Sequence, residues 1–184
     1  MGMPQPAYYT RVMLRDLPED GNRYELVRGE LLVTPAPKPW HEVVVARFNE
    51  VLTNYVRAEA PDLYVFGSRS EVSWGDPDTE VQPDLFVLPI AQVRTLEYEQ
   101  MRDLRLVVEV LSPSSRRHDR FVKRLEYQRR RVPIYWIVDP DERAVEVWTP
   151  EDHFPAIERD RVTWHPAGAS EPFSLELADL FRPI

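Results

Sequence analysis

The stretch Leu106-Val107-Val108-Glu109-Val110-Leu111-Ser112-Pro113-Ser114-Ser115 decides how this chain is read. Its first six residues are Leu or Val except for one Glu. A run that is apolar on both faces is the pattern of a central strand covered on both sides. Ser112 and Pro113 then signal a helix start, with Ser as cap and Pro tolerated in the first turn. The helix is predicted to run to about Arg131, where Pro133 ends it. Ile134-Tyr135-Trp136-Ile137-Val138 reads as a second central strand.

Working outward, Tyr24-Glu25-Leu26-Val27 and Leu31-Leu32-Val33 read as two short strands joined by Arg28-Gly29 as a hairpin turn. Val44, Phe48, Val51 and Tyr55 repeat at helical spacing, which predicts a helix from near Trp40 to about Ala58. Residues 63–66 and 69–74 are predicted as strands, 75–78 as a turn and 82–88 as a further strand. A helical excursion is expected over 90–102. Val145-Glu146-Val147-Trp148 follows the turn at 139–142. A weak strand is expected near 161–165 and a closing segment at 173–181. Helix, several strands, helix and strand make a mixed α/β domain with one sheet and helices against it.

The composition narrows the chemistry. With 184 residues, 43% hydrophobic and 29% charged, the chain is read as one domain that can build a core. The domain is taken as 1–184, with its core at about 15–150 and a C-terminal extension at 151–184. No cysteine is present, which excludes disulfides, thiolate nucleophiles and cysteine-ligated zinc. The four histidines, His41, His118, His153 and His165, include no pair spaced as metal ligands. No apolar run is long enough for a membrane helix, and Met1 to Thr10 shows no secretory signal. A soluble, cytoplasmic protein with no membrane partner is the expectation. The net charge of −8 argues against broad electrostatic binding of nucleic acid.

Against that background two acids stand out. Glu109 is a lone carboxylate in an apolar strand, an expensive placement unless it is paired or bound to metal. Asp84 sits near the start of the largely apolar Val81–Leu88. Two acids on strands of one small sheet suit a hard cation such as Mg2+, which takes oxygen ligands and usually only one or two carboxylates. Asp119, Lys123 and Tyr127 form one stripe on the following helix and could face them. The chain has only two lysines, Lys38 and Lys123, the other basic residues being Arg. A Lys at this place suggests a need for a compact ammonium, although taken alone it reads more simply as a solvated residue or as the intrahelical partner of Asp119. The segment also carries Arg116, Arg117, Arg120, Arg124, Arg129, Arg130 and Arg131. This basic stretch suits a phosphate-rich substrate, or is a solvated face paired with acids elsewhere.

These residues resemble the PD-(D/E)XK nuclease superfamily, and more specifically its Uma-two family of restriction-endonuclease-like proteins. The resemblance rests on Tyr24 to Glu30, His41, Pro83-Asp84, Glu109 to Ser115, Asp119, Lys123, Tyr127 and Tyr135 to Asp139. It spans roughly residues 15–150. It implies an α/β (α+β) fold with a restriction-endonuclease-like core: a mixed central sheet flanked by helices, an N-terminal β-hairpin and a C-terminal β extension. It implies an Mg2+-dependent endonuclease hydrolysing DNA phosphodiester bonds, with Mn2+ as a substitute ion. Asp84, Glu109 and the backbone carbonyl of Val110 would hold the metal. The superfamily's usual lysine would fall at position 111, where this chain has Leu, so Lys123 would supply the ammonium from the helix. Glu25 would be a further metal or water contact, its alternative being an exposed acid paired with an Arg. His41, Asp119, Tyr127 and Arg116 would support the site or touch substrate, while Tyr127 could instead pack beside Phe121 and Leu125.

Two other readings stand beside this one. A catalytically silent nuclease-fold protein would bind nucleic acid or a protein partner. A hydrolase for a small phosphate ester would use the same groups in a narrow pocket. The aromatic residues of the tail, among them Trp164, Phe173 and Phe181, cover the core or build an oligomer contact. A homodimer would suit cleavage of both strands.

Overall fold

The computed structural model describes residues 8–67 and 70–184. A short helix, α1 (Arg11–Leu14), leads to the hairpin strands β1 (Arg23–Val27) and β2 (Glu30–Thr34). The turn between them places Arg28 and Gly29 at φ +50° and +82°. Two successive positive φ angles match the right-handed twist of a tight hairpin, and Gly29 adopts its angle without strain. Helix α2 (Pro39–Glu59) follows, opened by a proline whose fixed φ suits the first turn.

Next come β3 (Leu63–Gly67), β4 (Leu85–Pro89), α3 (Ile90–Val93), a single 3₁₀ turn (Tyr98–Gln100) and β5 (Leu106–Val110). The chain then enters a π-helix (His118–Lys123) that continues as α4 (Arg124–Arg129). The remaining elements are β6 (Tyr135–Asp139), β7 (Ala144–Trp148), β8 (Ala156–Glu158), β9 (Arg161–Trp164), β10 (Phe173–Glu176) and α5 (Leu177–Leu180).

Six strands form the main sheet in the order β3-β4-β5-β6-β7-β8, with β1-β2 and β9-β10 as separate two-stranded sheets. Only β5 and β6 pair in parallel, Val107 opposite Tyr135 through Val110 opposite Val138. A parallel pair requires a crossover, and the π-helix with α4 provides it. Both central strands are buried at every residue, as their sequence predicts.

Alternation along β5 separates two cores. Leu106, Val108 and Val110 face Val44, Phe48 and Leu52 of α2, where Phe48 stacks on Trp136 at 5.7 Å. Burying each such side chain stabilises the fold by roughly 1.5–3 kcal/mol. Trp164, Phe173 and Phe181 join that core, so these tail aromatics cover the sheet, while Phe154 stays exposed. Val107 faces the other core with Tyr127, Tyr135 and Ile137. The same alternation turns Glu109 towards that second side, under the crossover helix.

The structure departs from the sequence reading in several places. Of the strand expected at 69–74, only Val72 pairs, in one bridge to Val81, and Arg69 lies outside the described residues. The expected strand 82–88 begins at Leu85, leaving Asp84 just ahead of it. Regular helix starts after Ser115 instead of at Ser112, because Ser112 to Ser115 close a hydrogen-bonded turn in which the Ser115 amide donates to Ser112 Oγ at 3.2 Å. Helix α1 and strand β8 carry no pattern that announced them, being only four and three residues long. The six-stranded sheet, the β1-β2 hairpin and the β9-β10 pair match the central sheet, N-terminal hairpin and C-terminal β extension expected.

Candidate active site

Glu109 is fully buried on β5. Facing it, the crossover helix presents Asp119, Lys123 and Tyr127, all buried. The π-helical turn carries the first two. Its widened backbone is held by the Arg124 amide and the Tyr135 hydroxyl, both donating to the Asp119 carbonyl. Such turns recur at functional sites. Lys123 Nζ donates to Glu109 Oε1 at 2.9 Å and lies 2.8 Å from Glu25 Oε1 and 3.3 Å from Asp119 Oδ1. The Tyr127 hydroxyl donates to the same Glu109 oxygen at 3.2 Å. Tyr127 packs on Tyr135 with ring centroids 4.7 Å apart. It does not pack beside Phe121 and Leu125, which are exposed.

Asp84 enters from the neighbouring strand. Leu85 is opposite Val108 in the antiparallel pairing, which sets Asp84 beside the end of β5. Its Oδ2 accepts the Val110 amide at 2.8 Å and meets His41 Nε2 at 3.2 Å. The Val110 amide thus helps to hold Asp84 in place. Asp84 Oδ1 accepts from Arg23 Nη1 at 3.1 Å. Glu25 is buried, not an exposed hairpin acid, and its Oε1 also accepts the Gln82 amide at 2.8 Å.

Four carboxylates (Glu25, Asp84, Glu109 and Asp119) thus share Lys123, Arg23 and His41 as cations. Their titration follows from this crowding. Burial pushes Glu109 up to about 8, opposed by Lys123 and reinforced by Asp119, Asp84 and Glu25. Burial also raises Asp119. For Asp84, burial is outweighed by the His41 hydrogen bond and the Arg23 charge, which bring it down to about 2. Burial works against the charge on Lys123, but Glu109, Glu25 and Asp119 outweigh it and raise its pKa. Its neighbours therefore favour the charged ammonium form of Lys123. Burial likewise opposes the charge on His41, and Asp84 and Glu42 overcome it, so its pKa is raised too.

Glu109 Oε2 is buried without a hydrogen-bond partner, as is Glu25 Oε2. Among the described residues no three His, Asp or Glu side chains converge as a ligand set. The donors instead fit the sparser arrangement of Mg2+ or Mn2+, which takes one or two carboxylates and completes its shell with water. Asp84 and Glu109 could provide those two. A divalent ion would meet the orphaned Glu109 oxygen and relieve the excess negative charge that now favours its protonation.

A cavity of about 660 Å3 opens beside this cluster. Arg23, His41, Asp84 and Ser112 reach it, whereas Glu109, Lys123 and Asp119 do not. Its wall runs from Leu14 to Tyr24 and over Thr34 to Pro37. Glu19, Glu42, Glu71 and Glu80 also line it, against Arg15 and Arg23. The basic stretch takes no part in this lining. Arg116 is held by Asp139 and Asp141, Arg120 by Asp139 and Glu146, Arg129 and Arg130 by Glu126, and Arg131 by Glu151. Arg124 lies 4.5 Å over the Trp148 ring. Most of these arginines are thus engaged by acids, and Arg116 is held by Asp139 and Asp141 and not by a carboxylate of the cluster.

The sequence reading missed Arg23. Its signal was present: Arg23 and Glu25 are two apart on one strand and so share a face.

The sequence pattern of the Uma2 family, described as "Putative restriction endonuclease", matches residues 12–177. No protein of curated function matches the chain. The crystal structure described as "a putative nuclease belonging to DUF820", from Anabaena variabilis ATCC 29413, aligns with a TM-score of 0.76. The two are 23% identical, and the alignment covers 94% of this chain and 97% of that one. That likeness establishes a shared fold. Among the described residues, no helix is long and apolar enough to cross a membrane.

Proposed function

The chain belongs to the Uma2 family of restriction-endonuclease-like proteins, and from that membership we propose that it is a metal-dependent endonuclease acting on DNA. One observation carries the reading: a buried Glu109 with one oxygen on Lys123 and the other unpartnered, next to Asp84. Structural ion pairs are normally completed, because an unsatisfied buried charge costs several kcal/mol (about 3–5 when a partner is removed). An incomplete cluster at the edge of a cavity is what a site awaiting a cation and a phosphate would have.

Asp84 and Glu109 would hold Mg2+ or Mn2+, which when bound would lower the pKa of water and neutralise charge on a phosphodiester. Lys123, fixed as an ammonium by three carboxylates, holds Glu109 and Glu25 in place and offsets negative charge. Tyr127 donates to the same Glu109 oxygen as Lys123 and helps to hold it in place. His41 orients Asp84 and, when protonated, adds positive charge facing the cavity.

The test joins binding to cleavage. Calorimetry with Mg2+ should show binding to the wild type, loss in Asp84→Ala and Glu109→Ala, and retention in Lys123→Met. Plasmid, linear and single-stranded DNA should be cut only by the metal-loaded wild type. A second reading, a silent nuclease-fold binding protein, is favoured by the acidic cavity wall and the paired arginines. Absence of binding with both Mg2+ and Mn2+, in folded protein, would select it.

A further inference from the structure

We propose that Arg23 is the resident cation of the carboxylate cluster, and that a divalent ion enters by displacing Arg23 from Asp84 into the cavity. The inference rests on the metal-dependent reading above. Its first support is the division of labour at Asp84. Oδ2 is taken by the Val110 amide and by the buried His41. Oδ1 has Arg23 as its partner, at 3.1 Å. A cation arriving at Oδ1 therefore meets Arg23.

The second support is the looseness of the contact. Arg23 also reaches the Gln82 carbonyl at 3.3 Å, and its Nε lies 3.5 Å from Glu25 Oε2, too long for a strong charge-assisted bond. Compare Arg116, which grips Asp139 with two nitrogens at 3.0 and 3.2 Å. Arg23 spreads one guanidinium across two carboxylates and forks neither. Its side chain is 21% exposed where Glu25 and Asp84 are 1% and 2% exposed, so it sits between cluster and solvent.

Like charge gives the third support: a divalent ion on Asp84 would sit against the Arg23 guanidinium, 3.1 Å from the same carboxylate, and the two cations would repel. A displaced Arg23 swings on its own stem, with β1 held by the backbone bonds between Leu26 and Glu80. It then faces a cavity whose lining holds only one other arginine, Arg15. There its planar fork suits a phosphate.

The experiment measures affinity for Mg2+ and Mn2+ alone, in full-length wild type, Arg23→Gln and Arg23→Lys. Exchange predicts that Arg23→Gln binds either ion about tenfold tighter, because one competing cation is gone. Arg23→Lys, which cannot span both acids, falls between. The rise in Tm on adding Mg2+ should be larger for Arg23→Gln than for the wild type. Equal or weaker binding by a folded Arg23→Gln, with wild type still binding metal, overturns the exchange alone. If neither wild type nor either variant binds metal, the metal-dependent reading falls and the exchange falls with it. Should Arg23→Gln not fold, Arg23→Lys decides by the same two readouts.

Discussion

Two buried ionic clusters sit at the ends of the parallel strands, and they differ in completeness. At the end of β6, Asp139 is only 2% exposed yet fully engaged. It is forked by Arg116, touched by Arg120 and capped by the amides of Asp141 and Glu142. Burial would raise its pKa, but the Glu142 amide and Arg120 outweigh it and lower it. At the end of β5, Glu109 has the opposite character: one oxygen shared by Lys123 and Tyr127, one orphaned, and a pKa pushed up to about 8 by burial. Burial is common to both clusters; an unpartnered carboxyl oxygen is what sets Glu109 apart from Asp139.

The largest test of this contrast is Lys123→Met. It strands three buried carboxylates and should lower stability by about 3–5 kcal/mol in urea titration at neutral pH, with cleavage lost. Next is Glu109→Gln, which mimics the protonated acid. Cleavage should fall by about a thousandfold, yet the urea midpoint should hold or rise, since a penalised charge has been removed. Asp139→Asn should do the reverse. Loss of its charge-assisted bonds should cost about 2 kcal/mol, with Mg2+ affinity unchanged. If Asp139→Asn weakened metal binding as Glu109→Gln does, the two clusters would have to be treated as one.

The clusters should also separate by pH. Glu109 binds its proton more tightly folded than unfolded, so its contribution is complete below its ordinary 4.5 and lost as pH rises towards 8. His41, with a raised pKa, acts in the same sense. Asp139 and Asp84 have lowered pKa values, so their contributions are present above 3.8 and lost as pH falls below it. Metal-free protein should therefore lose stability between pH 5 and 8, and Glu109→Gln should flatten that slope. A slope unchanged in Glu109→Gln would remove Glu109 as its source. The smallest effect is expected for Tyr127→Phe, about 1 kcal/mol in stability from one lost hydrogen bond to Glu109. A much larger loss would give Tyr127 a part in the site that its 3.2 Å contact does not suggest.

Much was legible in the residues themselves. The doubly apolar runs at 106–111 and 134–138 read as central strands, because a strand with one face in water carries polar residues on that face. Helical spacing drew α2 nearly to the residue, and Arg28-Gly29 announced the hairpin. Glu109 was conspicuous by its neighbours, and Asp119, Lys123 and Tyr127 by their common stripe. Those readings are local: each depends on periodicity or on a residue out of character with the few beside it.

Tertiary structure decided the rest, because opposite charges attract across any separation in sequence and only packing selects the partner. The sequence left Arg116 to Arg131 open between a substrate-facing and a paired surface, and the acids that neutralise them include Asp76, Asp139, Glu146 and Glu151 on other elements. Glu25 was open between a site contact and an exposed hairpin acid, and the fold buried it against a lysine 98 residues on, at 2.8 Å. Arg23 drew no notice until β1 lay over Asp84. The sequence thus determined which strands carry the acids, through the cost of placing charge among apolar side chains. Only the three-dimensional packing determined which carboxylate oxygens are left without a hydrogen-bond partner, because that depends on how many donors can reach each one.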